Sequence, residues 1–510
     1  MAAAGAEAAR EGIYEIATDE GWVKSEWFKL HIRSKRATRT DDNIKDKLPP
    51  LPPSKTVIHL LSDFMRYLFK CAKDYIQDTH ANGRDLWESV EKDIDYVISH
   101  PNGWEGYQQT QMCEAAVMAG LISDSERDKE RRITFLTEGE ASLHYAIRNG
   151  LPSGALENGE GVVIVDAGGG TVDVSAYRKQ PDSGKDRFEE IAVPQSLLAQ
   201  SNYLEDLDHI VHRFDTTTKL RFRSDKDPQF IRFGGNRDND DSVGIKYGQL
   251  KLPGTDVASF FEPSIKCITN AVLRLLSAAH NPISHVIVVG GFASSDWLFN
   301  QIDKALRGRG LNVIRPESYV NKAVSDGAVS FYLRRQVRSR VSKFAYGPIF
   351  SMNYDPENPE HRVHQERGSV YVSAAGRKRI AGSFKVMIPK NTKIQEKKEY
   401  RLTSTYRFAS VSILKKVRND IWCYRGNNRD PRWRDEDPEM YSKLCQIIMD
   451  LSYLPYKTLP KLDDQGGVYY EIDYDYILFY QGVELKAQMA WIENGVEKRS
   501  PARVVYDPTD

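Results

Sequence analysis

One continuous run, residues 161–175, constrains this chain more than any other feature. An apolar strand from Gly161 to Val165 ends at Asp166, three glycines follow, and an alternating strand begins at Thr171. The pattern predicts a β-hairpin whose turn carries no side chain that would keep a ligand away. An ordinary surface hairpin is the alternative interpretation, although such a turn does not need three successive glycines between two aspartates.

The residues around this turn are suited to binding phosphate. Glycines allow positive φ angles and bring backbone N–H groups within reach of phosphate oxygens. Asp166, at the end of the strand, can hold a hydrated Mg²⁺ or orient a water molecule, and Thr171 adds a hydroxyl group. The hairpin therefore predicts a site for a phosphate-bearing ligand.

A second strand–glycine–helix unit lies further along the chain. The apolar residues Val286–Val289 lead into Gly290 and Gly291, and Ser295 or Asp296 can cap the helix that follows. Backbone at such a turn can lie against a nucleoside or receive a phosphate at the helix N-terminus. The motif is weak alone and much stronger beside the first one.

Composition limits the classes of partner. Lys+Arg and Asp+Glu both number 71, so no overall charge favours nucleic acid or an anionic membrane. The sequence has neither an apolar run long enough to span a membrane nor a basic and apolar leader at its start. Five scattered cysteines without Cys-x-x-Cys spacing favour free thiols in a reducing compartment. These features predict a cytoplasmic protein with no nucleic-acid or membrane partner.

Predicted strands and helices alternate through the first two thirds of the chain, which favours an α/β core. Past Arg335 a basic connector leads into short strands separated by turns, which predict a separate β domain. The predicted elements are a helix at 55–77, a strand at 95–100, a helix at 107–121, a strand at 133–137, a helix ending near 150, and β-domain strands at 369–372, 384–388, 400–403 and 469–474.

Taken together, the motifs resemble the actin-like ATPase fold, and within it the heat shock protein 70 family. The family's pattern Asp-x-Gly-Gly-Gly-Thr-x-Asp matches Asp166 to Asp173, and its nucleoside turn matches Gly290-Gly291. Residues 137–141 and 316–328 are similar to the two segments that connect the family's lobes. Residues 386–394 look like the start of the chaperone's substrate-binding sandwich.

The resemblance implies an α/β fold with two ribonuclease-H-like lobes, followed by a smaller β-rich domain. Residues 1–335 would form an N-terminally incomplete nucleotide-binding domain, with lobe I at about 1–155 and 316–335 and lobe II at about 156–315. A basic linker at 336–350 would precede a β-rich, substrate-binding-like domain at 351–510.

The resemblance also implies ATP or ADP with Mg²⁺ as ligands, and unfolded or extended protein segments and co-chaperones as partners. Nucleotide-dependent closure of the lobes would alter the grip of the β-rich domain on a client. The resemblance assigns catalytic roles to Glu138, Asp166 and Asp173, and metal binding to Asp166. It assigns nucleotide binding to Gly168, Gly169, Gly170, Thr171, Gly290 and Gly291.

The chain departs from the family in ways that bear on hydrolysis. The first-phosphate hairpin, Asp-x-Gly-Thr-Thr, is missing; Asp19-Glu20-Gly21 fits only its first half. No helical lid is expected after the β domain. The pattern is similar to a divergent, lid-less branch whose ATPase activity would be weak or lost. A non-hydrolysing pseudo-ATPase scaffold is therefore the alternative function, and a sugar-kinase-like enzyme is a third, against which the chaperone-like β domain argues.

Overall fold

The computed structural model has a mixed α/β architecture with several sheets. The chain divides into two compact units: unit 1 comprises Met1–Trp104 and Gln108–Arg338, and unit 2 comprises Glu105–Tyr107 and Ser339–Asp510. The structure describes residues 2–10, 12–32, 48–104, 106–149, 151, 161–168, 171–179, 188–192, 195–198, 214–232, 239, 244–279, 281–334, 337–462 and 466–505.

Helices alternate with strands up to residue 334, which confirms the predicted α/β alternation. The helices are α1 (Ile13–Asp19), α2 (Val57–Thr79), α3 (Gly83–Val90), α4 (Gly106–Met118), α5 (Glu126–Arg132), α6 (Glu138–Arg148), α7 (Lys219–Arg221), α8 (Gly254–Ala278), α9 (Asp296–Arg307) and α10 (Ala323–Arg334). Short 3-10 turns lie at Gly5–Ala9, Phe28–Ile32, Glu91–Asp93, Phe292–Ser294 and Val320–Lys322, and a π turn lies at Phe214–Thr218.

The strands of unit 1 form three sheets. They are β1 (Tyr96–His100), β2 (Ile133–Thr137), β3 (Gly161–Ala167), β4 (Thr171–Lys179), β5 (Phe188–Glu190), β6 (Gln195–Leu198), β7 (Gln229–Arg232), β8 (Ile245–Lys246), β9 (Gln249–Leu252), β10 (Ile283–Val289) and β11 (Asn312–Ile314). The central sheet runs β11-β10-β3-β4-β5, and β6 also pairs with β4. β1 and β2 form a parallel pair, and β7, β9 and β8 form a small antiparallel sheet.

The predicted hairpin is present as β3 and β4, which pair antiparallel with Asp166 opposite Asp173. Every residue of β3 is buried, so these strands belong to the core and do not form a surface hairpin. Val163 and Val165 pack into one apolar cluster with residues of α8 and α9. Val162 and Ile164 face a second cluster that includes Leu143 of α6. The central sheet is therefore covered on both faces, as its continuous apolar run requires.

Helices α6 and α10 contact each other closely. A Cβ added at Gly327 of α10 would lie 1.8 Å from the carbonyl oxygen of Ala141 in α6, so only glycine fits there. Leu136, Ala141, Ala328 and Phe331 form the buried apolar contact around this point. The two segments that resemble the family's connecting segments thus meet at a contact between backbones.

Unit 2 consists mainly of antiparallel strands. They are β12 (Val337–Val341), in which the boundary between the units falls, then β13 (Ala345–Gly347), β14 (Ile349–Asn353), β15 (Val370–Val372), β16 (Lys378–Phe384), β17 (Lys393–Gln395), β18 (Tyr400–Phe408), β19 (Val417–Tyr424), β20 (Tyr441–Met449), β21 (Lys457–Pro460), β22 (Val468–Gln481), β23 (Glu484–Glu493), β24 (Val496–Arg499) and β25 (Arg503–Val504). One helix, α11 (Pro359–Glu366), and two 3-10 turns, Val411–Lys416 and Pro438–Met440, accompany them.

The sheets of unit 2 enclose a core of their own. β18, β22, β23 and β24 form the main sheet, to which β21 and β25 add; β13-β19-β20 and β14-β16-β15 form two smaller ones. Ile388, Ile394, Leu478 and Met489 are among the buried residues of one apolar cluster. The alternation of buried and exposed residues along β19 and β20 is typical of sheets with one covered face.

Two sequence predictions in this region are wrong. The sequence predicts a basic linker at 336–350, but β12 and β13 lie there, and Phe344 and Tyr346 are buried in the core of unit 2. Arg340 is accommodated because its Nε donates a hydrogen bond to the Gly482 carbonyl at 2.7 Å. The sequence also predicts a strand at 384–388, whereas β16 ends at Phe384.

Candidate functional site

The two glycine motifs, far apart in sequence, lie at one edge of the central sheet. β3 and β10 are parallel and adjacent, with Val289 opposite Asp166, so both motifs begin where these strands end. Gly290 has a φ of 97°, and a Cβ there would lie 2.4 Å from both Asp166 Oδ1 and the Ala167 carbonyl oxygen. Glycine is therefore required at position 290 by its backbone angle and by contact with the Asp166 carboxylate.

Three acidic side chains converge at this edge: Glu138, Asp166 and Asp173. The two aspartates face each other across one rung of the β3–β4 hairpin. Glu138 is the first residue of α6, directly after β2; burial, and after it the charge of Glu138, raises the pKa of both aspartates. The predicted catalytic carboxylates are thus brought together by the hairpin on one side and the start of a helix on the other.

Lys29 is the cation of this site. Its Nζ forms an ion pair with Glu138 Oε1 and lies 5.7 Å from the centre of the Trp104 ring. The 3-10 turn Phe28–Ile32 carries Lys29 and is anchored by Ile32, which is buried against α2 and α4. The site therefore places one lysine against three carboxylates.

Hydrogen bonds fix the two aspartates unequally. The Ser142 hydroxyl donates to Asp166 Oδ2 at 3.1 Å, and the Asn102 backbone N–H donates to Asp173 Oδ1 at 2.5 Å. The other oxygen of Asp173, Oδ2, is buried and has no hydrogen-bond partner in the described part of the chain. A buried carboxylate oxygen without a donor is costly, and a bound cation would remove that cost.

Burial dominates the electrostatics of the pair. Burial, and then the charge of Glu138, raises the pKa of Asp166 to about 7, against the smaller opposing effects of the Ser142 hydrogen bond and Lys29. Burial and Glu138 also raise the pKa of Asp173 well above its usual range. Burial thus holds both aspartates toward the protonated form, and Lys29 offsets only part of the further effect of Glu138.

The glycine turn itself is described only in part. The Gly168 N–H donates to the Thr171 carbonyl at 3.0 Å, which closes the base of the turn. Gly169 and Gly170 lie outside the described residues. Gly291 follows Gly290 with a helical φ of −61°, and a Cβ added there would meet nothing within 4 Å. One side of the second turn is therefore open.

Sequence reasoning missed three residues of this site: Lys29, Asn102 and Ser142. Lys29 lies 109 positions before its partner Glu138, in a mixed, charged region without a recognisable period. Asn102 acts through its backbone N–H, which carries no signal of residue type. Ser142 lies one turn after Glu138 on α6, so helical spacing could have identified it.

The donor set fits Mg²⁺ and a phosphate-bearing ligand. The unpartnered Asp173 Oδ2 and the raised pKa of Asp166 both indicate carboxylate oxygens that a hard cation would stabilise. The open face of Gly291 leaves room for a ligand to approach the backbone.

The sequence matches no protein-family model and no curated protein. Among the described helices, none combines the length and apolar character needed to cross a bilayer.

Proposed function

We propose that this chain binds a magnesium–nucleotide complex at the edge of the central sheet in unit 1, as ATP-binding proteins of the heat shock protein 70 type do. The observation that carries the proposal is the meeting of the two glycine motifs with three carboxylates and Lys29 at one place. The two motifs are separate in the sequence, and an actin-like, two-lobed nucleotide fold would require them to be adjacent.

The chain's own residues have distinct roles in this proposal. Asp166 and Asp173 would hold the ion, directly or through water. The turn that begins at Gly168 would offer the backbone N–H groups of Gly169 and Gly170 to the phosphates, and Gly290-Gly291 would lie against the nucleoside. Bound Mg²⁺ would supply positive charge that lets phosphates lie close to buried carboxylates.

Lys29 and Glu138 could act on the terminal phosphate of the bound nucleotide, which hydrolysis would release. Lys29 pairs with Glu138 and can exchange that partner for a phosphate oxygen, since a lysine ammonium is a mobile point charge on a flexible stem. Glu138, once released, would be available to orient an attacking water molecule. Positioning and charge compensation of this kind account for most of the catalysis of phosphoryl transfer.

Calorimetric titration of Mg-ATP into the full chain tests the proposal. We expect saturable binding to the wild type and its loss in Asp166→Asn, which keeps the size of the side chain and an oxygen for the Ser142 hydroxyl. Gly291→Ala should weaken binding without loss of stability, because the added Cβ meets no protein atom within 4 Å.

Gly308→Ala is the matched control for Gly291→Ala. Gly308 also has a helical φ, −60°, and open space around an added Cβ, but it follows α9, away from the site. It should bind Mg-ATP like the wild type. Equal heats in the wild type and Asp166→Asn, or no heat in either, would overturn the nucleotide proposal.

The proposal includes a client-binding role for unit 2. Its support is a groove of about 1310 Å³ lined by aromatic, basic and hydroxyl-bearing side chains, among them Tyr406, Arg418 and Thr403. Ile388 and Ile394, from the segment that resembles a chaperone's client-binding strands, are instead fully buried in the core. Binding of a reduced, carboxymethylated model protein, measured with and without Mg-ATP, tests this role. Binding that Mg-ATP leaves unchanged, or no binding at all, would contradict it.

A non-hydrolysing scaffold is the second candidate, and two observations favour it. The ion pair with Lys29 leaves Glu138 unavailable to orient a water molecule as long as it persists. The described residues before Tyr96 contain no strand that could carry a second phosphate hairpin. Asp19 is the last residue of α1, Glu20 is its C-cap and Gly21 has a positive φ of 64°, so the Asp-x-Gly there is a helix terminus. Single-turnover hydrolysis of bound ATP separates the candidates: binding without turnover favours the scaffold, and turnover excludes it.

A further inference from the structure

A cluster of potential metal ligands lies in unit 2, on and beside α11. Asn358 caps this helix by accepting a hydrogen bond from the Glu360 N–H at 2.9 Å, and Pro359 is its first residue. Glu360 and His364 are four residues apart and therefore lie on the same face of the helix. Glu436, from the segment before β20, approaches that face.

Glu360, His364 and Glu436 form what we call the α11 cluster. One carboxylate oxygen of each glutamate and one ring nitrogen of His364 all lie within 4.8 Å of one another. Glutamate oxygen and histidine nitrogen are both ligands that Zn²⁺ accepts. The spacing and chemistry thus match three ligands of one ion.

His364 is buried and oriented by Asp435. It is 1% exposed, and its Nδ1 lies 3.1 Å from Asp435 Oδ2, to which Arg367 also donates at 3.1 Å. When Nδ1–H donates to a carboxylate, the lone pair of the neutral ring is on Nε2, and Nε2 has no hydrogen-bond partner in the described part of the chain. Metal-binding histidines commonly have this carboxylate partner on the second nitrogen.

Trp433 fixes the other side of the cluster. Its Nε1 donates to Glu360 Oε1, and its ring centroid lies 3.9 Å from that of His364. The indole is buried, so Glu360 and His364 have little freedom to rotate away. Arg432 Nε donates a hydrogen bond to Asp430 at 2.8 Å, and the Arg432 charge also acts on Glu360 and Glu436, so a cation already stands near these two carboxylates.

We propose that Glu360, His364 and Glu436 bind a divalent transition-metal ion, with Zn²⁺ as the ion their chemistry favours. Three protein ligands leave a fourth position for water or for a ligand of unit 2. Asp435 and Trp433 act as positioning residues, because they orient His364 and Glu360 without contacting the ion. This site is independent of the nucleotide proposal.

Equilibrium dialysis of the full chain against Zn²⁺, with metal counted by mass spectrometry, tests the site. We expect one Zn²⁺ per chain that His364→Gln and Glu436→Gln lose or bind about tenfold or more weakly. Glu366→Gln is the matched control, since Glu366 lies on the same helix but is exposed and outside the cluster. It should retain the wild-type affinity.

The absorption spectrum of bound Co²⁺ and the thermal midpoint of the variants distinguish loss of the metal site from loss of the fold. Co²⁺ should give visible absorption bands typical of nitrogen and oxygen ligands, and these bands should be absent in His364→Gln. Because Glu436 is exposed, Glu436→Gln should keep the thermal midpoint of the metal-free chain even if His364→Gln does not. A wild type without stoichiometric Zn²⁺, or equal Zn²⁺ affinity in the wild type and Glu436→Gln, would overturn the proposal.

Discussion

Asp166 and Asp173 face each other across one rung of a buried hairpin, with Glu138 close to both. Burial makes the charged form of both aspartates costly, and the charge of Glu138 adds to that cost. Lys29 and the Ser142 hydroxyl offset only part of it, since the pKa of Asp166 stays at about 7. At the scale of single residues, the burial of Asp166 therefore lowers the stability of the folded chain wherever its carboxyl group is ionised.

The pH dependence of stability should reveal this cost. The folded pKa of Asp166 lies above its ordinary value of 3.8, so folding takes up a proton between about pH 4 and pH 7. The destabilisation is therefore absent below pH 4, grows as pH rises to 7, and is constant above. We expect Asp166→Asn to raise the free energy of unfolding at pH 8, by on the order of 4 kcal/mol at most, and to have little effect at pH 4.

Urea denaturation of both proteins at pH 4 and pH 8, without metal or nucleotide, measures this difference. Asp78→Asn, at an exposed position in the last turn of α2, is the control and should leave the pH dependence unchanged. An Asp166→Asn variant that is less stable than the wild type at pH 8 would contradict the assignment of a strained, buried carboxylate.

The sequence predicts that Asp166, Asp173, Glu138 and both glycine turns form one site. The structure brings the three carboxylates and Gly290 together, and Gly169 and Gly170 of the first turn lie outside the described residues. Those predictions rest on residue type at fixed spacing, which can be read from the sequence without knowing the fold. Lys29 could not be found in that way, because its role depends on a contact across 109 positions. Backbone donors such as that of Asn102 are equally invisible in a sequence.

Among the elements, periodicity identifies the strands and helices that build the site. β2, β3, β4, β10 and α6 lie where alternation and apolar runs predict them. The errors fall in unit 2, where charged residues suggest a solvent-exposed linker that the fold does not contain. Arg340 is buried because a backbone carbonyl accepts its hydrogen bond, and such a partner has no counterpart in the local sequence.

The contact between α6 and α10 gives a prediction at this scale. Gly327→Ala should lower the free energy of unfolding by about 1–3 kcal/mol, because its Cβ would overlap the Ala141 carbonyl oxygen and force the helices apart. Nucleotide affinity should fall as well, since α6 begins at Glu138. Chemical denaturation measures the first effect and calorimetry the second.

Gly308→Ala again serves as the control, because its backbone angle and surroundings accept a methyl group. Its free energy of unfolding should stay within about 0.5 kcal/mol of the wild type. If Gly327→Ala proved as stable as Gly308→Ala, the close contact between the helices would not exist in solution.

For the whole molecule, the two units each have their own apolar core. Among the described residues, the buried members of the unit 2 core run from Phe344 to Val505, and all of them belong to unit 2. Domains of this size with a separate core commonly fold when expressed alone. We therefore expect a fragment of residues 336–510 to fold independently.

Far-UV circular dichroism and the dispersion of amide NMR signals test this expectation. A folded fragment should show β-sheet ellipticity, dispersed signals and a cooperative thermal transition. A fragment that gives collapsed signals and no transition would mean that unit 2 depends on the rest of the chain for its fold.

The rung of Asp166 and Asp173 has a consequence for the life of the protein in a cell. The carboxylates are buried beside Glu138 only in the folded chain, so the magnesium–nucleotide complex that we propose would bind the folded chain and not the unfolded one. By mass action, each tenfold excess of ligand over its dissociation constant protects the folded population further, by about 1.4 kcal/mol. Proteases remove unfolded chains, so the proposal predicts that the abundance of this protein follows the supply of magnesium–nucleotide.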